Sequence, residues 1–247
     1  MEVQMSFDNL KQQIAGPIAY PPTPFRRSED SSRIDPGVFR KQIRHLVDAN
    51  VPAITPCGGT GEFFSLTMEE WQALTKIAVK EASGESSLII ASVGGKIGEA
   101  TEMAREAERL GCGLIQITML DPMFGITEEG LYRYISRIAS SVEIGVMHYN
   151  TGNLPLSLAL AKRLCEIPNT VAFKDEAGEV TWFREIFPTL EDEDIVGVCG
   201  GGESLFPYYY LAGAKAFTTG IVNLVPRVTL NFYQALVEEN WQQAFRI

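Results

Sequence analysis

The chain has 247 residues, 45% of them hydrophobic and 21% charged, with 4 cysteines, 2 histidines and a formal net charge of -10. This composition excludes fibrous and disordered classes and leaves enough chain for one large core, since an unsegmented α/β barrel runs to about 250 residues. The 21 basic against 31 acidic groups repel nucleic acid at long range, and no run approaches the ~18 apolar residues of a membrane span.

The N-terminal stretch Met1-Glu-Val-Gln-Met-Ser-Phe-Asp8 lacks a basic-then-apolar leader, so a cytoplasmic protein with neither nucleic-acid nor membrane partners is expected. Short apolar runs then alternate with amphipathic segments. In chain order the predicted strands begin at Ile18, Pro52, Leu88, Leu114, Ile144, Val171, Ile195 and Ala216. Helical patterns fall between and after them: Pro36 to Ala49, Thr67 to Ala82, Ile97 to Leu110, Thr127 to Ser140, Ser157 to Glu166, Val180 to Phe187, Ser204 to Ala212 and Pro226 to Val237. Thr67-x-x-Glu70 reads as a capping box, and Asn50, Gly111 and Gly213 sit where helices should stop. Eight β/α units fit a TIM (β/α)8 barrel better than a six-strand doubly wound sheet, because each parallel crossover uses its own helix. With no linker or low-complexity stretch, residues 1–247 read as a single barrel domain. Beyond the last unit, Trp241, Ala244 and Phe245 lie on one face of a further helix start, which predicts either a longer C-terminal segment or a partner surface.

Cys57, Cys112, Cys165 and Cys199 are dozens of residues apart, so they read as reduced structural thiols rather than metal ligands. His45 and His148 are too few for a multi-histidine zinc site, and no metal or other cofactor is expected. Attention falls on the strand ends, because a barrel of this type binds ligands on its βα loops. Of the eight lysines, Lys41, Lys76, Lys80 and Lys162 lie on helical patterns, Lys11 is near the N-terminus and Lys215 precedes the last strand. Lys96 follows Val93-Gly-Gly in a polar loop. Only Lys174 ends a buried-looking strand, in which Thr170, Ala172 and Lys174 share one face and Val171 and Phe173 the other. An inward lysine whose pKa is lowered by burial suits Schiff-base formation, since only the neutral amine attacks a carbonyl. The alternative is a lysine paired to Asp175 or Glu176 at the rim. Imine formation also needs a proton shuttle. Tyr149 ends its strand on the face of Gly145 and Met147 and is the candidate; alternatively it is a buried aromatic with a satisfied hydroxyl. His148 then faces the helix layer and takes no catalytic role.

Two strands end in glycine, at Cys57-Gly-Gly-Thr-Gly-Glu62 and Cys199-Gly-Gly-Gly-Glu203. Such loops expose N–H groups that can hold a carboxylate, with the Thr60 hydroxyl as a further donor; taken as isolated motifs, a plain tight βα turn is the simpler explanation of either one. A dinucleotide reading fails because the G-x-G-x-x-G spacing is absent.

Gly58-Gly-Thr-Gly-Glu62 with Phe-Phe-Ser-Leu-Thr67, then Tyr149-Asn150, Phe173-Lys-Asp175 with Gly178, and Asn223-x-x-Pro226 together resemble the dihydrodipicolinate synthase and N-acetylneuraminate lyase superfamily. The order holds from Pro21-Pro-Thr-Pro-Phe25 onward. The resemblance implies a TIM barrel with class I aldolase chemistry, with Lys174 as the Schiff-base lysine and Tyr149 as the proton-relaying phenol. The expected substrate-binding set is Gly58, Gly59, Thr60, Asn153, Gly200 and Thr218. It also implies a homo-oligomer, dimer or tetramer, and C-terminal helices of which this chain carries little or none. Dihydrodipicolinate synthases have two adjacent threonines in the first motif, where this chain has Gly59-Thr60. They carry a tyrosine pair after the fourth strand, where it reads Met119-Leu-Asp-Pro-Met-Phe-Gly125. The arginine that follows their Tyr-Asn pair is also missing from Tyr149-Asn-Thr-Gly-Asn153. The Gly-Gly-Thr-Gly-Glu-Phe-Phe-Ser-Leu string and Asn153 are more similar to the 5-dehydro-4-deoxyglucarate dehydratase branch. That branch implies dehydration and decarboxylation of a sugar diacid, an α-keto acid, to 2,5-dioxopentanoate, with Lys96 as the basic rim group. The alternatives are a dihydrodipicolinate synthase or other pyruvate-dependent aldolase, and a non-catalytic keto-acid binder.

Overall fold

The computed structural model describes residues 7–26, 33–118 and 125–247. Residues 1–6, read above for a leader, and 119–124, compared above with a tyrosine pair, lie outside the described residues. Eight parallel strands close into a barrel in sequential order: β1 (Gly16–Ala19), β2 (Ala53–Ile54), β3 (Leu88–Gly94), β4 (Leu114–Thr118), β5 (Gly145–Asn150), β6 (Thr170–Asp175), β7 (Val196–Cys199) and β8 (Ala216–Thr219). The ring shuts where Gly16–Ala19 pairs with Ala216–Thr219. A helix layer surrounds it: α1 (Phe7–Ile14), α2 (Pro36–Asp48), α3 (Met68–Ala82), α4 (Ile97–Leu110), α5 (Glu128–Ala139), α6 (Leu158–Cys165), α7 (Val180–Asp192), α8 (Gly202–Leu211), α9 (Pro226–Val237) and α10 (Trp241–Ala244). The TIM-barrel expectation holds.

Local chemistry explains the boundaries. Thr67 and Glu70 close a reciprocal capping box on α3, Asp35 caps α2 through Gly37 and Val38, and Ser157 caps α6 through Leu160. Asn50, Gly111 and Gly213 all take positive φ after their helices, the left-handed turn that ends a helix. The predicted helix from Val180 stops at Phe187, but α7 runs five residues further. Its proline, Pro188, is exposed, so the carbonyl it leaves unpaired reaches water while Phe183, Ile186 and Leu190 hold the buried face. No strand or helix pattern above includes α1, whose Leu10 and Ile14 are buried.

Two apolar layers fill the molecule. The outer one, between strands and helices, includes Phe39, Trp71, Phe173, Phe183, Phe206 and Phe217. The inner one fills the barrel with Ile18, Leu88, Ile90, Leu114, Met147, Val171, Val196 and Val198, and Leu10 and Ile14 of α1 join it. Gly113 and Gly145 lie against Leu10, where a Cβ would meet its methyl groups at 3.0 and 3.4 Å. Since both glycines stand at the strands' N-terminal ends, α1 plugs the barrel floor.

The alternation expected along the sixth strand is corrected at its start. Val146 pairs with Thr170 but Met147 with Ala172, a bulge that inserts Val171. Val171 therefore turns inward with Ala172, over Gly145, while Thr170 turns outward and donates its hydroxyl to the Leu164 carbonyl at 3.0 Å. From Ala172 onward the expected alternation resumes and delivers Lys174 to the barrel mouth.

Trp241 and Ala244 pack inward, Trp241 against the Tyr210 ring at 6.2 Å, so much of the face expected to be bare is covered; Phe245 stays 65% exposed. Among the described residues no helix is long and apolar enough to cross a membrane.

Candidate active site

A cavity of about 500 Å³ opens at the C-terminal ends of the strands. Lys174, from β6, lies at its base and is 3% exposed. Its Nζ sits 4.1 Å from the centre of the Tyr149 ring and 4.8 Å from that of Tyr20, so two aromatic faces cradle the cation. The Glu176 carboxylate completes the cluster. Its Oε2 lies 2.7 Å from Lys174 Nζ and accepts the Tyr149 hydroxyl at 2.5 Å. Amine and phenol thus meet at a single oxygen atom.

This pairing corrects the expectation of an uncharged amine. Burial works to lower the Lys174 pKa, but Tyr20, the Glu176 carboxylate and Tyr149 outweigh it and hold the pKa above the ordinary lysine value. Asp175, the other rim partner considered, points away from Lys174. It is fully buried and accepts from the Tyr209 hydroxyl and from Asn150 Nδ2 at 2.7 Å, which ties the end of β6 to β5 and α8. Burial raises the Tyr149 pKa, opposed by Lys174 and reinforced by Glu176, so the resting phenol is neutral. Tyr20 is raised by burial as well; its hydroxyl donates to Gln116 Oε1, whose amide is oriented by donation to Thr118 Oγ1 at 3.0 Å.

The cavity wall gathers most of the expected binding set: Gly59, Thr60, Asn153, Gly200 and Thr218. Gly58 is the exception. It lies beneath the Tyr20 ring, 2.4 Å from where its Cβ would be, and is a packing position rather than a wall residue. Thr218 Oγ1 donates to the Gly200 carbonyl at 3.2 Å, locking the loop after β7. Lys96 is not at the wall; it stands just before α4, its side chain 85% exposed and 3.1 Å from Glu99. His148 faces the helices as expected, its Nε2 donating to the Leu164 carbonyl at 3.0 Å, and burial lowers its pKa to about 4.

Tyr20, Gln116, Glu176 and Glu203 are among the wall residues outside the expected set. Tyr20 follows a strand of only four residues in a proline-rich stretch, which hides its direction. Gln116 reads as an ordinary strand position. Glu176 is visible in the sequence only as a rim partner, and Glu203 only as the end of a glycine-rich loop. The Glu203 Oε1 accepts from Thr219 at 2.6 Å and Thr229 at 3.3 Å. Among the described residues, no group of three or more His, Cys, Asp or Glu is placed to hold a metal ion.

The profile of the dihydrodipicolinate synthetase family matches residues 13–247. A probable 5-dehydro-4-deoxyglucarate dehydratase of Chelativorans sp. is 34% identical over 90% of this chain and 72% of its own length. One of Acinetobacter baumannii is 31% identical over 94% of this chain and 76% of its own. Among solved structures, the dihydrodipicolinate synthase of Bacillus clausii superposes with a TM-score of 0.88 at 27% identity, covering 96% of this chain and 79% of that one. That of Oceanobacillus iheyensis superposes at 0.89 with 23% identity, covering 98% and 79%, a likeness of fold.

Proposed function

From the premise that the chain belongs to the dihydrodipicolinate synthetase family, and is a lyase of dehydratase or aldolase type, we propose that Lys174 forms a Schiff base with the ketone of a small 2-oxo acid. The supporting observation is one buried lysine at the C-terminal end of a barrel strand, in contact with the same carboxylate oxygen as a neutral phenol. Lys174 Nζ attacks the carbonyl carbon, and Tyr149 supplies the proton that lets the carbonyl oxygen leave as water. The resulting iminium is an electron sink for loss of the neighbouring proton and then of the β-hydroxyl. Gly59 and Thr60, on the cavity wall, offer main-chain and hydroxyl donors to the 2-oxo carboxylate.

The names of the relatives favour 5-dehydro-4-deoxyglucarate as substrate, losing water and carbon dioxide to give 2,5-dioxopentanoate. The test has two arms. Borohydride is added to the enzyme with pyruvate and with 5-dehydro-4-deoxyglucarate, and the protein is weighed. A covalent adduct on the peptide carrying Lys174 is expected; an intact, folded chain without adduct overturns the Schiff-base reading. In the second arm the products are identified. Formation of 2,5-dioxopentanoate supports the dehydratase reading, and carbon–carbon condensation or cleavage products instead would assign the chain to an aldolase or synthase.

A further inference from the structure

An ammonium does not attack a ketone, so Lys174 must shed a proton as the substrate enters. The acceptor in reach is Glu176 Oε2, at 2.7 Å. We propose that Glu176 is a catalytic residue, the base that takes this proton and the store that returns it through Tyr149 to the departing oxygen, an inference that rests on Lys174 being the Schiff-base lysine.

The position is built rather than incidental. The Glu176 N–H donates to the Asn150 carbonyl at 2.9 Å, extending the pairing of β5 and β6 by one rung. On its other side lies Gly200, where a Cβ would stand 2.5 Å from Glu176 Cβ and 2.8 Å from its Cα and Cγ. Only a residue without a side chain leaves room for the glutamate there. The groups around the carboxylate are Lys174 from β6, Tyr149 from β5, Tyr20 from β1 and the Cys199 thiol from β7, with Glu203 of α8 on the same cavity wall. Lys174 is the one cation among them.

The protons balance. Lys174 begins with three and Glu176 with none. The first passes from Nζ to Glu176, and the freed lone pair forms the C–N bond as the carbonyl π pair moves to oxygen. Tyr149 protonates that oxygen and is itself reprotonated by Glu176. The nitrogen, now positive, gives its second proton to the emptied Glu176 carboxylate. The same route, Glu176 to Tyr149 to the hydroxyl, then expels water and leaves the iminium with one N–H. The two protons lost from nitrogen leave on the water, and Glu176 and Tyr149 return to their starting states.

The transfer is internal to the lysine–glutamate pair, so imine formation is independent of pH through the neutral range in the wild-type enzyme. In Glu176→Gln no internal acceptor remains. Single-turnover Schiff-base formation with pyruvate, trapped by borohydride, should fall on the order of 10²-fold or more at pH 7 and rise about tenfold per pH unit toward the lysine pKa. Glu176→Asp should recover part of the rate and the flat profile. A purely structural partner predicts the opposite, since removing the anion frees the amine: an equal or faster rate at pH 7 in Glu176→Gln, with an unaltered profile, overturns the assignment. Should that variant misfold by circular dichroism, the profile of Glu176→Asp decides alone: a slope of one in the neutral range also overturns it. A wild-type enzyme that traps no adduct would fail at the Schiff-base reading itself, so the two failures are distinguishable.

Discussion

Tyr149 and His148 are neighbours in the chain with opposite fates, because alternation along β5 sends one to the cavity and the other to the helix layer. Tyr149→Phe removes only the hydroxyl that meets Glu176. Folding should be nearly unchanged, and turnover should fall on the order of 10²-fold, read from steady-state kcat. His148 carries a stability signature instead. Its folded pKa, near 4, lies below the value of about 6.5 expected unfolded, so the unfolded chain binds the extra proton between these values. Its contribution is complete above about pH 6.5 and is lost as pH falls toward 4, at most about 3 kcal/mol. Urea midpoints at pH 7 and 5 should therefore converge in His148→Gln; an unchanged gap would remove His148 as its source. Strand alternation named the directions of Tyr149, His148 and Lys174 from sequence. It could not name the charge on Lys174, which depends on a carboxylate two residues on and an aromatic ring from the far side of the barrel.

The loop after β7 is read most simply as a tight turn from its three glycines, yet two of them meet different demands. Gly202 takes positive φ at the start of α8, whereas Gly200 clears the backbone and side chain of Glu176. Gly200→Ala places a methyl group where Glu176 now stands, so the glutamate must move. The expected outcome is a fall in Schiff-base formation that follows Glu176→Gln, with the fold retained by circular dichroism. β6 shows the same limit on sequence reasoning. Its bulge at Val171 has no local signature, because what selects it is the space above Gly145 and a hydroxyl acceptor on α6, both supplied by other elements. Helix boundaries were read closely wherever caps are short polar residues, as at Thr67 and Ser157. The stop at Pro188 was misplaced because an exposed proline costs a helix less than a buried one.

Across the molecule, the count and order of strands followed from the alternation of apolar and amphipathic segments, since a closed parallel barrel repeats one unit eight times. α1 lay outside that rhythm. Its signal was present, with Phe7, Leu10 and Ile14 spaced along one helical face, but a helix before the first strand has no place in the repeat. Leu10 is 2% exposed within the inner core. Leu10→Ala should lower unfolding stability by about 2–5 kcal/mol in urea melts while leaving borohydride trapping at saturating pyruvate unchanged. With that plug in place the described residues leave the barrel open at the C-terminal ends of its strands, so whatever leaves there departs by the route its precursor entered. Turnover should then show reaction product competing with incoming keto acid for the same vestibule, raising KM without lowering kcat.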